Sequence, residues 1–343
     1  LNDTHAIAGA DDDYLVAAQL SLAEPKMVGS LDLAERLAGD EFKAFMVWNT
    51  NPLASCSDQQ KLREACSRED LFTVVLECFE TDTARYADIV LPAASFLEVD
   101  DIVASYMNMT VGVQSKVIEP LGESFSNQEI FRRIAAAMSL TEPALFESDE
   151  EVIAALLEQM QFPGSFADLQ RQGFFWVNGE EPLIMHQERE FETPSGKIEI
   201  ASEKAEKMGL PRVPHAGVDA APEPGQYRLI SPGSKWRLND EYGNDPKLMR
   251  RAGAAELILS AADAADLGVA DGQNVSVSTA NGSLNLIAQI DDMVQPGTVV
   301  SYKGRWPSLE SSGNNINYLH VGEKCDMAEG TSIHGMIVSI SPA

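Results

Sequence analysis

Of the common chemical fingerprints, this 343-residue sequence has almost none. It contains no GxGxxG, no GxxxxGK followed by Ser or Thr, no GxSxG and no kinase signature set, which excludes the usual phosphate cradles and nucleophile elbows. The four cysteines, Cys56, Cys66, Cys78 and Cys325, show no CxxC spacing. That argues against a metal ribbon or iron–sulfur ligation by this chain alone, and predicts free, half-buried thiols. The histidines, His5, His186, His215, His320 and His334, form no HExxH or HxH cluster. No apolar run approaches the roughly 18 residues that cross a bilayer. The opening "GADDDY" segment lacks the basic and apolar regions of a signal peptide, so a soluble chain without membrane insertion is expected, cytoplasmic, with the periplasm as the alternative.

Positive charge is scarce too. Lys plus Arg number 25 against 53 Asp plus Glu, a formal net charge of −28. Such a surface repels phosphate backbones and anionic membranes, so no nucleic-acid partner is expected. It serves either solubility or an acidic face that meets a basic partner.

What the sequence does hold is an alternation of strand and helix followed by a run of strands. "FKAFMVWN", "LFTVVLEC" and "ADIVLPA" are apolar on both faces, and "SDQQKLREACSRE" reads as an intervening helix with Ser57 and Asp58 as cap candidates. This predicts a mainly parallel, Rossmann-like sheet covered on both sides. After Asn108 the pattern turns helical: "SNQEIFRRIAAAM" sets Ile130, Ile134 and Met138 on one face, and "DEEVIAALLEQM" does likewise. Residues 211–226 concentrate Pro, Gly and Ala, which divides the chain into an α/β portion over 1–210, a linker over 211–226 and a C-terminal domain over 227–343. In that last domain six short alternating segments, from "YRLISPG" to "GMIVSIS", predict a closed or nearly closed β-barrel interrupted by one helix, "SAADAADLG". Ser260 caps that helix, Gly268 stops it, and Asp263 supports its start.

In open parallel sheets ligands sit at the carboxyl ends of the strands. Here the first strand ends in Asn49-Thr50-Asn51-Pro52, and the second at Glu77, a carboxylate able to take the paired donors of a guanine. Thr81 and Thr83 follow in "ETDTARYADIVLP", suited to phosphate or ribose oxygens. Taken alone, these residues fit a polar loop as well as a nucleotide cradle.

The run "VWNTNPLAS…LFTVVLECFETDTARYADIVLPAASFLE", continued by "FSNQEIFRRIA" and "ETPSGKIEI", resembles the C-terminal half of the molybdopterin oxidoreductase family. These are the bis-molybdopterin guanine dinucleotide enzymes of the dimethyl sulfoxide reductase, formate dehydrogenase and nitrate reductase type. "ELILSAADAADLGVADGQNVSVSTANGSLNLIAQIDDMVQPGTVV" and "NNINYLH…GTSIHGMIVSI" resemble that family's dinucleotide-binding barrel. The resemblance implies an enzyme, a formate dehydrogenase- or nitrate reductase-like oxidoreductase, with molybdenum or tungsten on bis-molybdopterin guanine dinucleotide as cofactor.

Residue by residue, it implies that Asn49, Thr50, Asn51, Glu77, Thr81 and Thr83 hold the nucleotide end. Asn127 falls where many members place a nucleotide-binding aspartate. "SPGSKWRLND" matches the segment that wraps the pterin and its phosphates, so Ser231, Ser234, Lys235, Trp236, Arg237 and Asn239 become cofactor-binding candidates. The cations suit a pyrophosphate. Trp306, Asn317 and His334 match later barrel positions facing the second cofactor, His334 standing where relatives often carry a lysine. Ser195-Gly196 reads equally as a strand turn, and Trp48 and Trp236 as core.

Family members carry the metal ligand, and any iron–sulfur cluster, in a portion without counterpart here, so no catalytic or metal residue is assigned to this chain. The expected partners are that N-terminal portion or subunit and an electron-transfer subunit. The same resemblance leaves an alternative, a non-catalytic scaffold related to the large iron–sulfur subunit of respiratory complex I. Retention of Asn51, Glu77, Lys235 and Arg237 favours the cofactor-binding reading.

Overall fold

The computed structural model describes residues 28–105, 108–177, 179, 184, 186–215, 221–325 and 330–343. The "GADDDY" opening, His5 and the middle of the expected linker lie outside the described residues. Contacts divide the chain into two compact units. One comprises Met27–Val75, Glu80–Val90 and Ala201–Ala343, and the other includes Leu76–Phe79 and Leu91–Ile200.

The α/β elements run α1 (Leu33–Ala38), β1 (Ala44–Trp48), α2 (Pro52–Ser55), α3 (Gln59–Cys66), β2 (Phe72–Glu77) and β3 (Ile89–Pro92). The three strands form one parallel sheet in the order β1-β2-β3. Leu62, Ala65 and Cys66 of α3 bury against Leu37, Leu53 and Leu71, with Phe45 of β1 packed on the cluster. Asp58 occupies the position before α3 but makes no capping bond. Its backbone is left-handed at φ 53, and its carboxylate accepts from Asn281 Nδ2 at 3.2 Å instead. All four cysteines are free thiols.

The turn to an all-helical pattern after Asn108 is not what forms. β4 (Asp101–Ala104), β5 (Thr110–Gln114) and β6 (Phe174–Trp176) make an antiparallel sheet whose register pairs Val111 with Ala104 and with Phe175. α4 (Asn127–Ala137), α5 (Asp149–Gln159) and α6 (Phe166–Gln172) accompany it. Ser126, Ser148 and Ser165 each accept the N3 backbone N–H, and α5 and α6 close full capping boxes with Glu151 and Asp168. Val111, Ile153, Leu157, Leu169 and Phe175 form the core of this region. Ile130 is buried, but Met138 stands 65% exposed, so the apolar face of α4 is shorter than its periodicity suggests.

After α7 (Glu203–Lys207) the chain enters the barrel: β7 (Gln226–Ile230), α8 (Pro246–Ala252), β8 (Glu256–Leu259), α9 (Ala261–Leu267), β9 (Asn274–Thr279), β10 (Gly282–Ile290), β11 (Thr298–Val300) and β12 (Met336–Pro342). The strands close in the order β10-β8-β11-β7-β12-β9. Period-two alternation sets one face inward, and register keeps it there: Leu284 pairs with Val277, Leu286 with Val275, and Ile340 with Val277. Leu229, Leu257, Leu259 and Val299 fill the interior. Ser260 caps α9 and Gly268 ends it at φ 65, as the sequence indicates, and Asp263 also accepts from Gly297 N. A second helix, α8, accompanies α9. Asp245 accepts from Lys247 N and Leu248 N, and Pro246 opens the helix where its missing N–H is harmless.

Candidate functional site

In the unit that holds the barrel, the loops after β1 and β2 meet loops of the barrel domain. Asn51 is 4% exposed and has helix α2 directly behind it. Its Oδ1 accepts from Thr83 N at 3.1 Å and from Thr83 Oγ1 at 2.8 Å, while Thr83 Oγ1 accepts from Leu53 N at 3.1 Å. The Thr81 hydroxyl accepts from Ala84 N at 3.2 Å. Both threonines are buried, so the hydroxyls expected on phosphate or ribose oxygens bind their own backbone and shape the loop. Asp82 lies between them, 6% exposed, and accepts from Ser308 N at 2.7 Å and from Asn51 Nδ2 at 3.4 Å.

A one-turn helix leaves its last carbonyls without helical partners. In α2 they are taken by side chains, two of them from far along the chain. Asn317 Nδ2 donates to the Ala54 and Ser55 carbonyls, each at 3.1 Å, and Asn315 Nδ2 and Gln59 Nε2 also reach Ala54 O, at 2.9 and 3.1 Å. Asn317, expected beside a cofactor, therefore holds the turn that carries Asn51.

The segment 231–243 lies tightly on 303–306. A Cβ on Gly304, whose φ is 93, would stand 1.7 Å from Asn239 O, and one on Gly243 would stand 2.4 Å from Trp306 Cδ1. Trp306 is 7% exposed and donates Nε1–H to Asp240 O at 2.7 Å, so it fastens this segment from behind. Burial pushes the Asp240 carboxyl up, against the hydrogen bond from Asn51, with Asp82 and Glu241 adding repulsion. Arg305 is buried but satisfied by Glu310 at 2.9 Å and by the Gly253 and Ala254 carbonyls.

Arg237 differs. It is 5% exposed, forms no ion pair among the described residues although Glu310 lies within electrostatic reach, and makes two long contacts, to Met249 Sδ at 3.6 Å and Lys303 O at 3.4 Å. Among the described residues its Nε has no partner, nor has the hydroxyl of fully buried Ser231. Burial, then repulsion from Arg305, lowers the guanidinium to about 10, still a cation at neutral pH. Lys235 is exposed with Nζ 4.9 Å from the Trp236 ring centroid, and Arg251 stacks on the same ring at 5.6 Å. Ser234 is half-buried, and Asn239 is exposed at φ 51. Buried His320 has an unpartnered Nε2 and is pushed down to about 4 by burial and by neighbouring His334 and Lys303. His334 itself is exposed, as are Asn49 and Thr50 at the end of β1.

Glu77 and Asn127 belong to the other unit. Glu77 is half-buried at the end of β2 and accepts from Cys78 N at 2.7 Å; Asn127 opens α4. Among the described residues no group of three or more His, Cys, Asp or Glu could hold a metal ion, and no helix is long and apolar enough to cross a membrane. Reasoning from sequence missed Asp82, Asn315 and Arg305 as parts of this assembly. The asparagine-rich "NNINYLH" and the acid inside "TDT" carried the only local signal.

A family model described as molybdopterin oxidoreductase matches residues 16–137, and one described as molydopterin dinucleotide binding domain matches residues 227–336. The chain is 33% identical over 302 residues to the probable oxidoreductase YoaE of Bacillus subtilis, covering 87% of this chain and 44% of that protein. It is 32% identical over 300 residues to the dimethyl sulfoxide/trimethylamine N-oxide reductase of Cereibacter sphaeroides, covering 75% and 35%. In fold it matches acetylene hydratase from Pelobacter acetylenicus with a TM-score of 0.77 at 20% identity, over 92% of this chain and 47% of that one. The chain thus spans less than half the length of the relatives it matches.

Proposed function

Because the chain belongs to the molybdopterin oxidoreductase family, we propose that it is the cofactor-binding portion of a molybdenum or tungsten oxidoreductase, holding bis-molybdopterin guanine dinucleotide. The observation that carries this reading is Arg237, a buried cation with no ion pair among the described residues, in the same segment as the buried, unpartnered hydroxyl of Ser231. A buried charge without an ion pair is expensive, and a pyrophosphate supplies what both groups lack. The donor set therefore fits the cofactor.

Arg237 and Ser231 bind its phosphates in this reading, with Ser234, Lys235, Trp236 and Asn239 lining the same segment. Asn51, Trp306 and Asn317 set loop shape from behind, and Glu77 takes the guanine. When bound, the metal–pterin group supplies the redox chemistry; this chain supplies orientation and electrostatics. The metal ligand, and any cluster, come from the remaining N-terminal portion or subunit, and an electron-transfer subunit completes the path. A formate dehydrogenase- or nitrate reductase-like reaction belongs to this proposal, as does the sulfoxide reduction in one relative's name.

Elemental analysis for molybdenum or tungsten, with pterin fluorescence after oxidative release, tests the reading on the complex from its own host. Both are expected. Absence of both would leave the scaffold related to the large iron–sulfur subunit of complex I. Arg237→Met should lower pterin retention at least about tenfold, in line with a lost charge-assisted bond of about 1.5–3 kcal/mol.

A further inference from the structure

His320 is 4% exposed, and among the described residues its Nε2 has no hydrogen-bond partner. The fold fixes its backbone firmly. The His320 carbonyl accepts from Asp58 N at 3.2 Å and from Asn281 Nδ2 at 2.7 Å, and its N–H goes to Asn317 O at 3.1 Å. A side chain that only filled space here would be better apolar, because a buried polar atom without a partner loses its hydration and gains no bond in return. The charged groups around the ring are Lys303 and His334, with Asp58 held at one remove through Asn281. Lys303 also ties the imidazole to the phosphate site, since its carbonyl accepts from Arg237 Nη2 at 3.4 Å. Burial and the two neighbouring cationic side chains hold His320 down at about 4, so it is neutral at ordinary pH when no anion is near.

We infer that His320 is a further cofactor-binding residue, which donates Nε2–H to the phosphate-bearing part of the cofactor and takes up a proton from solvent as that anion binds. The inference rests on the proposed function, in which the phosphates sit at Arg237 and Ser231. Their negative charge offsets Lys303 and His334 and favours the imidazolium, as an opposite charge at short range does. The proton adds to Nδ1, and no covalent bond of the cofactor changes. Linkage fixes the sign. An anion that tightens the ring's hold on a proton has its own binding tightened by that proton, by the same factor. Retention of the cofactor therefore strengthens as pH falls. The diphosphate joins two organic groups and stays fully ionised from weakly acid to weakly basic pH, so it adds nothing to that dependence.

Pterin retention by the complex purified from its host, read as fluorescence after dialysis at a series of pH values, tests this. The apparent dissociation constant should be at least about tenfold lower at about pH 5 than at about pH 8, which is the response to a ring midpoint raised from about 4 to about 6 or above. His320→Gln still donates a hydrogen bond but cannot take the proton. It should retain the cofactor as the wild type does at the basic end and lose the pH dependence, whereas His334→Gln should keep that dependence. A dependence that survives in His320→Gln, or that vanishes in His334→Gln alone, would overturn the inference. So would wild-type retention that does not vary with pH, or a His320→Gln loss equal at every pH, which would reduce the residue to packing. A second measurement needs no variant. With the histidine rings labelled at Cε1, the resonance that titrates near 4 in the cofactor-stripped complex should titrate at about 6 or above once cofactor is bound, and an unchanged midpoint would overturn the inference. A wild-type complex without pterin at any pH would sink the proposed function, and this inference with it. Pterin retained with a pH dependence indifferent to His320 would sink this inference alone.

Discussion

The barrel and the small parallel sheet solve the same problem in opposite ways. Six strands closed in a ring leave no edge, and inward residues such as Leu229, Leu257, Leu259, Val275 and Val277 are fully buried by the barrel's own side chains. The three strands β1-β2-β3 bury Val47 and Val75 on one face and Leu76 on the other, yet leave Met46, Trp48 and Phe72 about half exposed. Both are rich in β-branched residues, so β-branched content does not separate them. Closure does. A closed sheet is complete by itself, whereas a short open parallel sheet depends on what lies against it.

Four substitutions sharpen this contrast, in descending effect on the melting of the isolated chain. Leu257→Ala, in the barrel interior, should destabilise by about 3 kcal/mol, the usual result of a leucine-sized cavity; denaturant unfolding measures it, and a loss below about 1 kcal/mol would mean the barrel core is loose. Asn317→Ala removes the amide shared by the Ala54 and Ser55 carbonyls, and should destabilise by about 2 kcal/mol because buried acceptors are left unpaired. Heat unfolding checks this, with Asn317→Asp no better, since a carboxylate cannot donate. Arg237→Met should change sign, stabilising the cofactor-free chain by about 1 kcal/mol, since an unpaired buried charge gives way to an apolar side chain. Met46→Gln, on the exposed sheet face, should stay within about 0.5 kcal/mol, and a larger loss would show that this face is covered within the chain itself.

Much of the architecture was legible. The six barrel strands, the α9 cap and stop, and β1 to β3 follow from periodicity and turn residues, because each is a local pattern. β5 escaped notice because Thr110–Gln114 is short, interrupted by Gly112, and paired with a strand of only three residues, Phe174–Trp176. The second barrel helix, α8, went unpredicted although Asp245-Pro246 is a helix-start pair.

The site was legible in residue types but not in directions. Asn51, Thr83 and Asn317 were recognisable as polar groups at loop ends. That Thr83 would bind Asn51, 32 residues away, and that Asn317 would bind Ala54, 263 residues away, are tertiary facts without a local signature. Arg237 was named for its charge; that it is buried without an ion pair among the described residues is a fact that one sequence does not display.

The order in which the barrel closes also sets a schedule. β12, Met336–Pro342, sits between β7 and β9 and pairs antiparallel with both. Until those residues leave the ribosome the ring has a gap, and β7 and β9 each present a row of unmet backbone groups. The parallel pairings of β10 with β8 and of β11 with β7 also join residues far apart in sequence, and such topologies assemble slowly. During synthesis this domain is therefore an open sheet awaiting its last seam, and the interval before β12 emerges is when nascent chains are most exposed to mispairing.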